Sequence, residues 1–295
     1  MTTLRFAFGP LTTRLGGDDR SVCAAIGEMF QDARSSGARA VDVDVDVAVT
    51  APQPRRWSKE FPGSYEVDRS RAAIRMQVAD WTADFLLKER RTRVTFRDLW
   101  YPGIEHFFKM FVQTWLPVCG RGVAFHASAV LKDGRCLLFP ARAETGKTTV
   151  ARLCHERGWT VITEEMACCS VGGGAVRLHA LPFRERSGLN TRERVVTALD
   201  GVYSLRQANR DWAVPVGRAE ATLLLARNAA VGFREPEIMT PALEMCAEVA
   251  RAVPVSVLDF APGPGFIEVI ESDATSTVGG GILGCRPPDW SERSS

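Results

Sequence analysis

The chain has 295 residues, room for one large domain or two of ordinary size. Apolar residues make up 45% and charged residues 24%, the balance of a soluble protein with a sizeable core. A net charge of +2 speaks for no polyanion, so no nucleic-acid partner is expected. No apolar run is long enough to cross a bilayer, and "MTTLRFAFGPLTTRLGG" lacks the charged-then-apolar order of a secretion signal. No membrane association and a cytoplasmic location are expected. The eight cysteines form no CxxC pair and no zinc-type cluster, which fits reduced, buried thiols.

Residues 1–117 read as an α/β region of their own, expected to recognise a partner or to complete the fold. "SVCAAIGEMFQDAR" has helical spacing, with Val22, Ile26, Met29 and Phe30 on one face. "VDVDVDVAV" (Val41 to Val49) alternates strictly, so its valines face a core while Asp42, Asp44 and Asp46 share a solvated face. "APQPRRWSKEFPG" is a loop by its Pro and charge content. "AAIRMQV", "WTADFLL" and "RVTFRDLW" read as strands, and the basic run "KERRTRVTFR" as solvated surface. "IEHFFKMFVQTWL" is a helix whose wide aromatic face, His106 included, is core packing.

From Val118 the texture changes to alternating strands and helices, which implies a sheet covered by helices over 118–272. The strands are "GVAFHASAVL", "RCLLF", "GWTVIT", "MACCSV" and "VPVSVLDF"; "ATLLLARNAA" and "PALEMCAEVARAV" read as helices. The polar, Gly- and Pro-rich residues 273–295 read as a flexible tail.

"CLLFPARAETGKTTVARLC" carries the chemistry. It reads as strand, turn and helix, with Gly146, Lys147 and Thr148 at the join, the layout of the phosphate loop G-x-x-x-x-G-K-[S/T]. In such a loop successive backbone N–H groups surround the phosphates, and the helix adds its positive N-terminal end. Residues Ala141, Arg142, Ala143, Glu144, Thr145, Gly146, Lys147, Thr148 and Thr149 are therefore the candidate nucleotide-binding set. Lys147 would reach the β/γ-phosphates and Thr148 would ligate Mg²⁺. Ala141 stands at the first glycine position, which a negative φ tolerates.

Phosphoryl transfer also needs an acid for metal or base work. Glu164 and Glu165 follow the strand "GWTVIT", which is expected to return beside the strand before the loop, parallel to it, so that both end at one sheet edge. Adjacent residues alternate sides, so the two carboxylates divide the work. Glu164, first after the strand, is favoured as base, and Glu165, also a catalytic candidate, as a metal contact beside Thr148.

These segments, in this order, resemble the HPr serine kinase/phosphorylase family and its shorter relatives over about residues 118–262. The likeness runs through "RGVAFHASAVLKDGRCLLFPARAETGKTT", "GWTVITEEMACCS", "LHALPFRE" and "VPVSVLDF". It implies a P-loop core of HPr-kinase/carboxykinase-like type, a mixed sheet with flanking helices, carrying the N-terminal α/β region in addition. It also implies ATP and Mg²⁺ as cofactors and a serine hydroxyl of a protein or peptide as acceptor. The family's histidine in the strand before the loop is matched by His126, a catalytic candidate, and its acidic pair by Glu164 and Glu165. Where the family loop carries acidic, hydroxyl and glycine residues, this chain has Arg142, Ala143 and Glu144.

Three readings follow: an ATP-dependent serine kinase, a non-catalytic subunit that senses nucleotide or presents a substrate, or a nucleotide-dependent enzyme acting on a small molecule. The kinase leads; the altered loop and the Glu-Glu pair are the features that favour the second. The acceptor and any homo-oligomer formation stay open.

Overall fold

The computed structural model describes residues 2–37, 39–50, 63–184, 187–191 and 195–278. It is a mixed α/β structure with two sheets and, among the described residues, six α-helices. The first sheet opens with a hairpin, β1 (Thr2–Phe8) and β2 (Leu11–Gly17), that the sequence pattern did not announce. Then come α1 (Arg20–Met29), β3 (Val43–Val49), β4 (Ser64–Asp68), β5 (Ala73–Gln77), β6 (Trp81–Leu86) and β7 (Arg91–Phe96). The strands lie in the order β1-β2-β3-β7-β6-β5-β4. Residues 51–62 of the expected loop lie outside the described residues.

The alternation in β3 does what its period requires: Val43, Val45 and Val47 are buried. The aspartates between them are not merely solvated. Asp44 takes a two-point contact from Arg14 of β2, at 2.6 and 2.9 Å, and Asp46 pairs with Arg91 of β7 at 2.9 Å. The basic run thus faces the acidic run across the sheet, the arrangement cross-strand pairs favour. Asp42, just before β3, is buried; it accepts from the Thr12 amide at 2.8 Å and from Arg121 at 2.6 and 2.7 Å.

Helix α2 (Tyr101–Val118) joins the two halves. Its Phe107, Phe108, Phe111 and Trp115 are fully buried, and His106 packs beside Trp81 at 5.5 Å. Phe108 stacks on Phe8 of β1 at 5.1 Å, and Phe8 in turn stacks on Phe183 at 6.1 Å. One apolar cluster therefore spans both sheets, taking in Phe6, Phe85 and Phe96 from the first half and Met166, Phe183 and Phe233 from the second. Burying each such ring stabilises by about 1.5–3 kcal/mol.

The second half contains β8 (Val123–Lys132), β9 (Arg135–Pro140), α3 (Lys147–Glu156), β10 (Thr160–Thr163), β11 (Met166–Gly172), β12 (Ala175–His179), β13 (Val196–Ala198), β14 (Gly201–Gln207), β15 (Trp212–Pro215), α4 (Arg218–Asn228), β16 (Ala229–Ala230), α5 (Pro236–Ala252), β17 (Val255–Phe260) and α6 (Gly265–Val278). Its main path is β13-β12-β11-β8-β9-β14-β17-β15, with β10 and β16 also paired to β8. Strands β9, β14 and β17 are mutually parallel and end at one edge.

One expectation is corrected here. Strand β10 does not pair with β9, because β8 lies between them and is antiparallel to both. Since β8 reverses the direction twice, β9 and β10 still point the same way and end at the same edge. Helix α6 continues to Val278, past the expected start of the tail at 273, and Tyr203 donates to Asp273 at 2.9 Å. Residues 279–295 lie outside the described residues.

The described cysteines, 23, 119, 136, 154, 168, 169 and 246, are free thiols, and all but Cys119 are buried. Among the described residues no helix is long and apolar enough to cross a membrane.

Asp42→Ala leaves the Thr12 amide without its carboxylate in a buried place. Such a loss costs about 1–3 kcal/mol, so denaturant unfolding should show a lower midpoint with an unchanged slope. A midpoint equal to wild type would mean that this junction contributes nothing to stability.

Candidate functional site

The site starts from β8. Its first half, up to His126, pairs with β11 on one side and β16 on the other. From Ala127 onward its neighbours are β10 and β9 instead. Both changes of partner fall around His126, and departing chains leave a crevice there. Two backbone bonds frame it: Ala141 N donates to His126 O, and Ala127 N to Glu165 O, each at 3.1 Å. His126 is the one exposed position in the apolar stretch of β8. The surrounding protein and then Lys147 lower its pKa, while Glu165 pulls the other way. The net shift is downward, so the imidazole is neutral at neutral pH.

At the end of β9 the chain turns through residues 141–146 into α3. Ala141 is buried, while Arg142, Ala143 and Glu144 are exposed. Gly146 has φ of +111°, and a Cβ there would meet the Phe260 ring at 2.7 Å, so glycine is required twice over. Glu144 also sits at positive φ, +64°, a region where a side chain costs roughly 1–2 kcal/mol. Lys147, first in α3, folds back and donates to the carbonyl oxygens of Ala141 at 2.8 Å and Arg142 at 2.7 Å. Burial lowers its pKa, and Glu165 opposes that. Thr145 is half-buried, Thr148 exposed and Thr149 half-buried around the first turn of α3, where N–H groups have no partner within the helix.

The two glutamates separate as their alternation requires, and the structure decides which goes where. Glu164 is buried and accepts from the Ser187 hydroxyl, which also takes the Leu189 amide at 3.0 Å. Glu165 points outward and bonds Lys109 of α2 at 3.1 Å. A cleft of about 420 Å³ is lined by His126, Ala141, Arg142, Ala143, Lys147, Glu165, Arg227 and Asn228. Of the residues expected from sequence, it gathers His126, Lys147, Glu165 and the start of the turn. Glu164 lies behind it.

Arg227, Asn228 and Lys109 carried no motif. Arg227 and Asn228 end α4, and they arrive because β16 pairs with β8 at Phe125. Lys109 arrives because α2 packs against β8. A second cavity, of about 520 Å³, lies between the first half and residues 179–184, 188–191 and 195–196, with Arg39, Tyr101, His179 and Arg184 in its wall.

Among the described residues no three His, Cys, Asp or Glu side chains cluster as a metal site. Mg²⁺ does not need such a cluster, because it takes most of its shell from water and phosphate oxygens. The hydroxyl of Thr148 and the carboxylate of Glu165 are hard oxygen donors of the kind it accepts.

No protein-family model matches the chain, and no curated protein matches it. Among solved structures it is similar to the Hpr(Ser) kinase/phosphatase from Coxiella burnetii, at 9% identity and a TM-score of 0.34, over 53% of this chain and 99% of that one. A likeness at that level bears on neither site nor activity.

The turn makes opposite demands on two neighbours. Glu144→Gly should raise the melting temperature or leave it unchanged, because relief at positive φ offsets the added freedom of the unfolded chain. Gly146→Ala should lower it, by more than about 1 kcal/mol in unfolding free energy. Equal effects of the two changes would contradict the described turn.

Proposed function

We propose that the chain binds a nucleoside triphosphate on the 141–148 turn, as a phosphate loop, and transfers its γ-phosphate to a hydroxyl of a protein or peptide. The observation that carries this reading is the convergence of Lys147, Glu165 and His126 in one cleft, beside the first turn of α3. The segment order that resembles the HPr-kinase family supports it.

In this reading the amides of 143–149 and Lys147 hold the phosphates, and Arg142 and Arg227 add positive charge at the cleft rim. Thr148 and Glu165 would hold Mg²⁺, which when bound would supply positive charge against the phosphates. The acceptor hydroxyl oxygen bonds to the γ-phosphorus as the bond from phosphorus to the bridging oxygen breaks. The hydroxyl proton passes to Glu165, and the diphosphate leaves. Glu165 takes the base role here, in place of Glu164, because it is the carboxylate that faces the cleft. Glu164 instead anchors the 187–189 segment behind the site. Neutral His126 can accept or donate a hydrogen bond beside the transferring group.

A non-catalytic nucleotide-binding subunit is the second reading. It is favoured by there being, among the described residues, one cleft-lining carboxylate, already ion-paired to Lys109, and by the side chain at Glu144.

Incubation with γ-labelled ATP, Mg²⁺, lysate and candidate peptides separates the two. The kinase reading expects label on a hydroxyl side chain; nucleotide binding without transfer supports the second. Lys147→Ala should weaken binding of a nucleotide analogue several-fold or more, by loss of a fixed ammonium at the phosphates, while the protein stays folded. Glu165→Gln should cut turnover by ~10²–10⁴, whereas Glu164→Gln should act chiefly on thermal stability. Unchanged analogue affinity in a folded Lys147→Ala variant overturns the binding site itself.

A further inference from the structure

We propose that Lys109, from the helix before the kinase-like region, is a positioning residue that holds Glu165 in place for proton transfer. The inference rests on the phosphoryl-transfer reading and deepens it. Glu165 lies in the short connection between β10 and β11 with its side chain 55% exposed, so by itself it would sample several rotamers. Lys109 restrains it at 3.1 Å, and is itself only 19% exposed.

Lys109 is fixed from behind. Its ammonium lies 3.0 Å from Glu105, one turn earlier in α2, and 5.7 Å above the Phe183 ring. Glu105 in turn accepts from the Arg184 amide at 3.3 Å and from the Tyr101 hydroxyl. Burial disfavours the Lys109 charge, but Glu105 and then Glu165 more than offset this, and its pKa is raised. The ammonium is therefore a permanent cation with two carboxylates, one anchored in the core and one presented to the cleft. Outer partners that orient a working group in this way are worth about 10–100-fold in activity, and a misplacement of about 1 Å costs on the order of 10²-fold.

The test compares the full chain with its Lys109→Met, Lys109→Arg, Glu165→Gln and Lys109→Met/Glu165→Gln variants. Two quantities are read: transfer of label from γ-labelled ATP with Mg²⁺ to a hydroxyl of the lysate or candidate peptides, and the Kd of a fluorescent non-hydrolysable ATP analogue. Lys109→Met should lower kcat by about 10–100-fold and leave the analogue Kd within about threefold, since it removes no contact to the nucleotide. Lys109→Arg should recover most of the loss. The double variant should be no slower than Glu165→Gln alone, because a residue acting through Glu165 has nothing left to act on.

Losses that multiply in the double variant, or a large rise in Kd, overturn the inference and assign Lys109 to the nucleotide instead. Unchanged kcat in Lys109→Met overturns it as well. If Lys109→Met does not fold, Glu105→Gln tests the same link: a lower kcat at unchanged Kd supports it, and a wild-type kcat refutes it. A wild-type chain that binds the analogue but transfers no label overturns the kinase reading and this inference together. Turnover with multiplying losses overturns only the inference.

Discussion

The whole candidate site depends on β8 changing both neighbours around His126. A strand with constant partners would be sealed on each side by ladder hydrogen bonds. Here β9 leaves at Pro140 and β16 takes its place, while β10 gives way through Glu164 and Glu165 to β11. The departing chains supply the turn and the carboxylates, and the gap between them is the cleft. Crevices of this kind, outside the ends of strands that part company, are where open sheets bind ligands. The mutually parallel β9, β14 and β17 add a consistent edge, at which the Phe260 ring sets the approach limit for Gly146.

The second constraint is the aromatic face of α2. It packs on the first sheet through Phe8, Phe85 and Phe96, and Phe183 and Phe233 of the second half pack in turn on Phe8 and Phe85, so the two halves share one apolar cluster. The helix that fills that cluster is also the one that presents Lys109 to Glu165. Packing and site geometry are therefore properties of a single element, and its polar edge is exact only if its apolar face is seated. Arg121 with Asp42 adds a polar clasp at the same junction.

What could be read from the sequence was what is local in the chain. The Gly-Lys-Thr join needs only a strand before it and a helix after it, and both are there as β9 and α3. Period-2 alternation placed the buried valines of β3, and helical spacing placed α1, α2 and α5. The pairing of β10 was not legible, because nothing in "GWTVIT" says that β8 inserts between it and β9. The side each glutamate takes was hidden for a related reason: the ladder between β10 and β8 shifts register between Val161 and Thr163, and a one-residue shift exchanges inside for outside. Lys109 reaches Glu165, and Arg227 the cleft, through tertiary packing alone. The aspartate row and the basic run sit some 45 residues apart in the chain, too far for local patterning to pair them.

The aromatic face of α2 also carries a consequence for synthesis on the ribosome. The helix is complete once Val118 has been made, yet two rings of the cluster it joins, Phe183 and Phe233, come much later. At about 5–20 residues per second the wait is on the order of ten seconds. Throughout that interval Phe8 and Phe85 lack the rings that later pack on them. A holdase that recognises apolar segments would find its binding site there, and it would lose that site at the moment the cleft closes into shape.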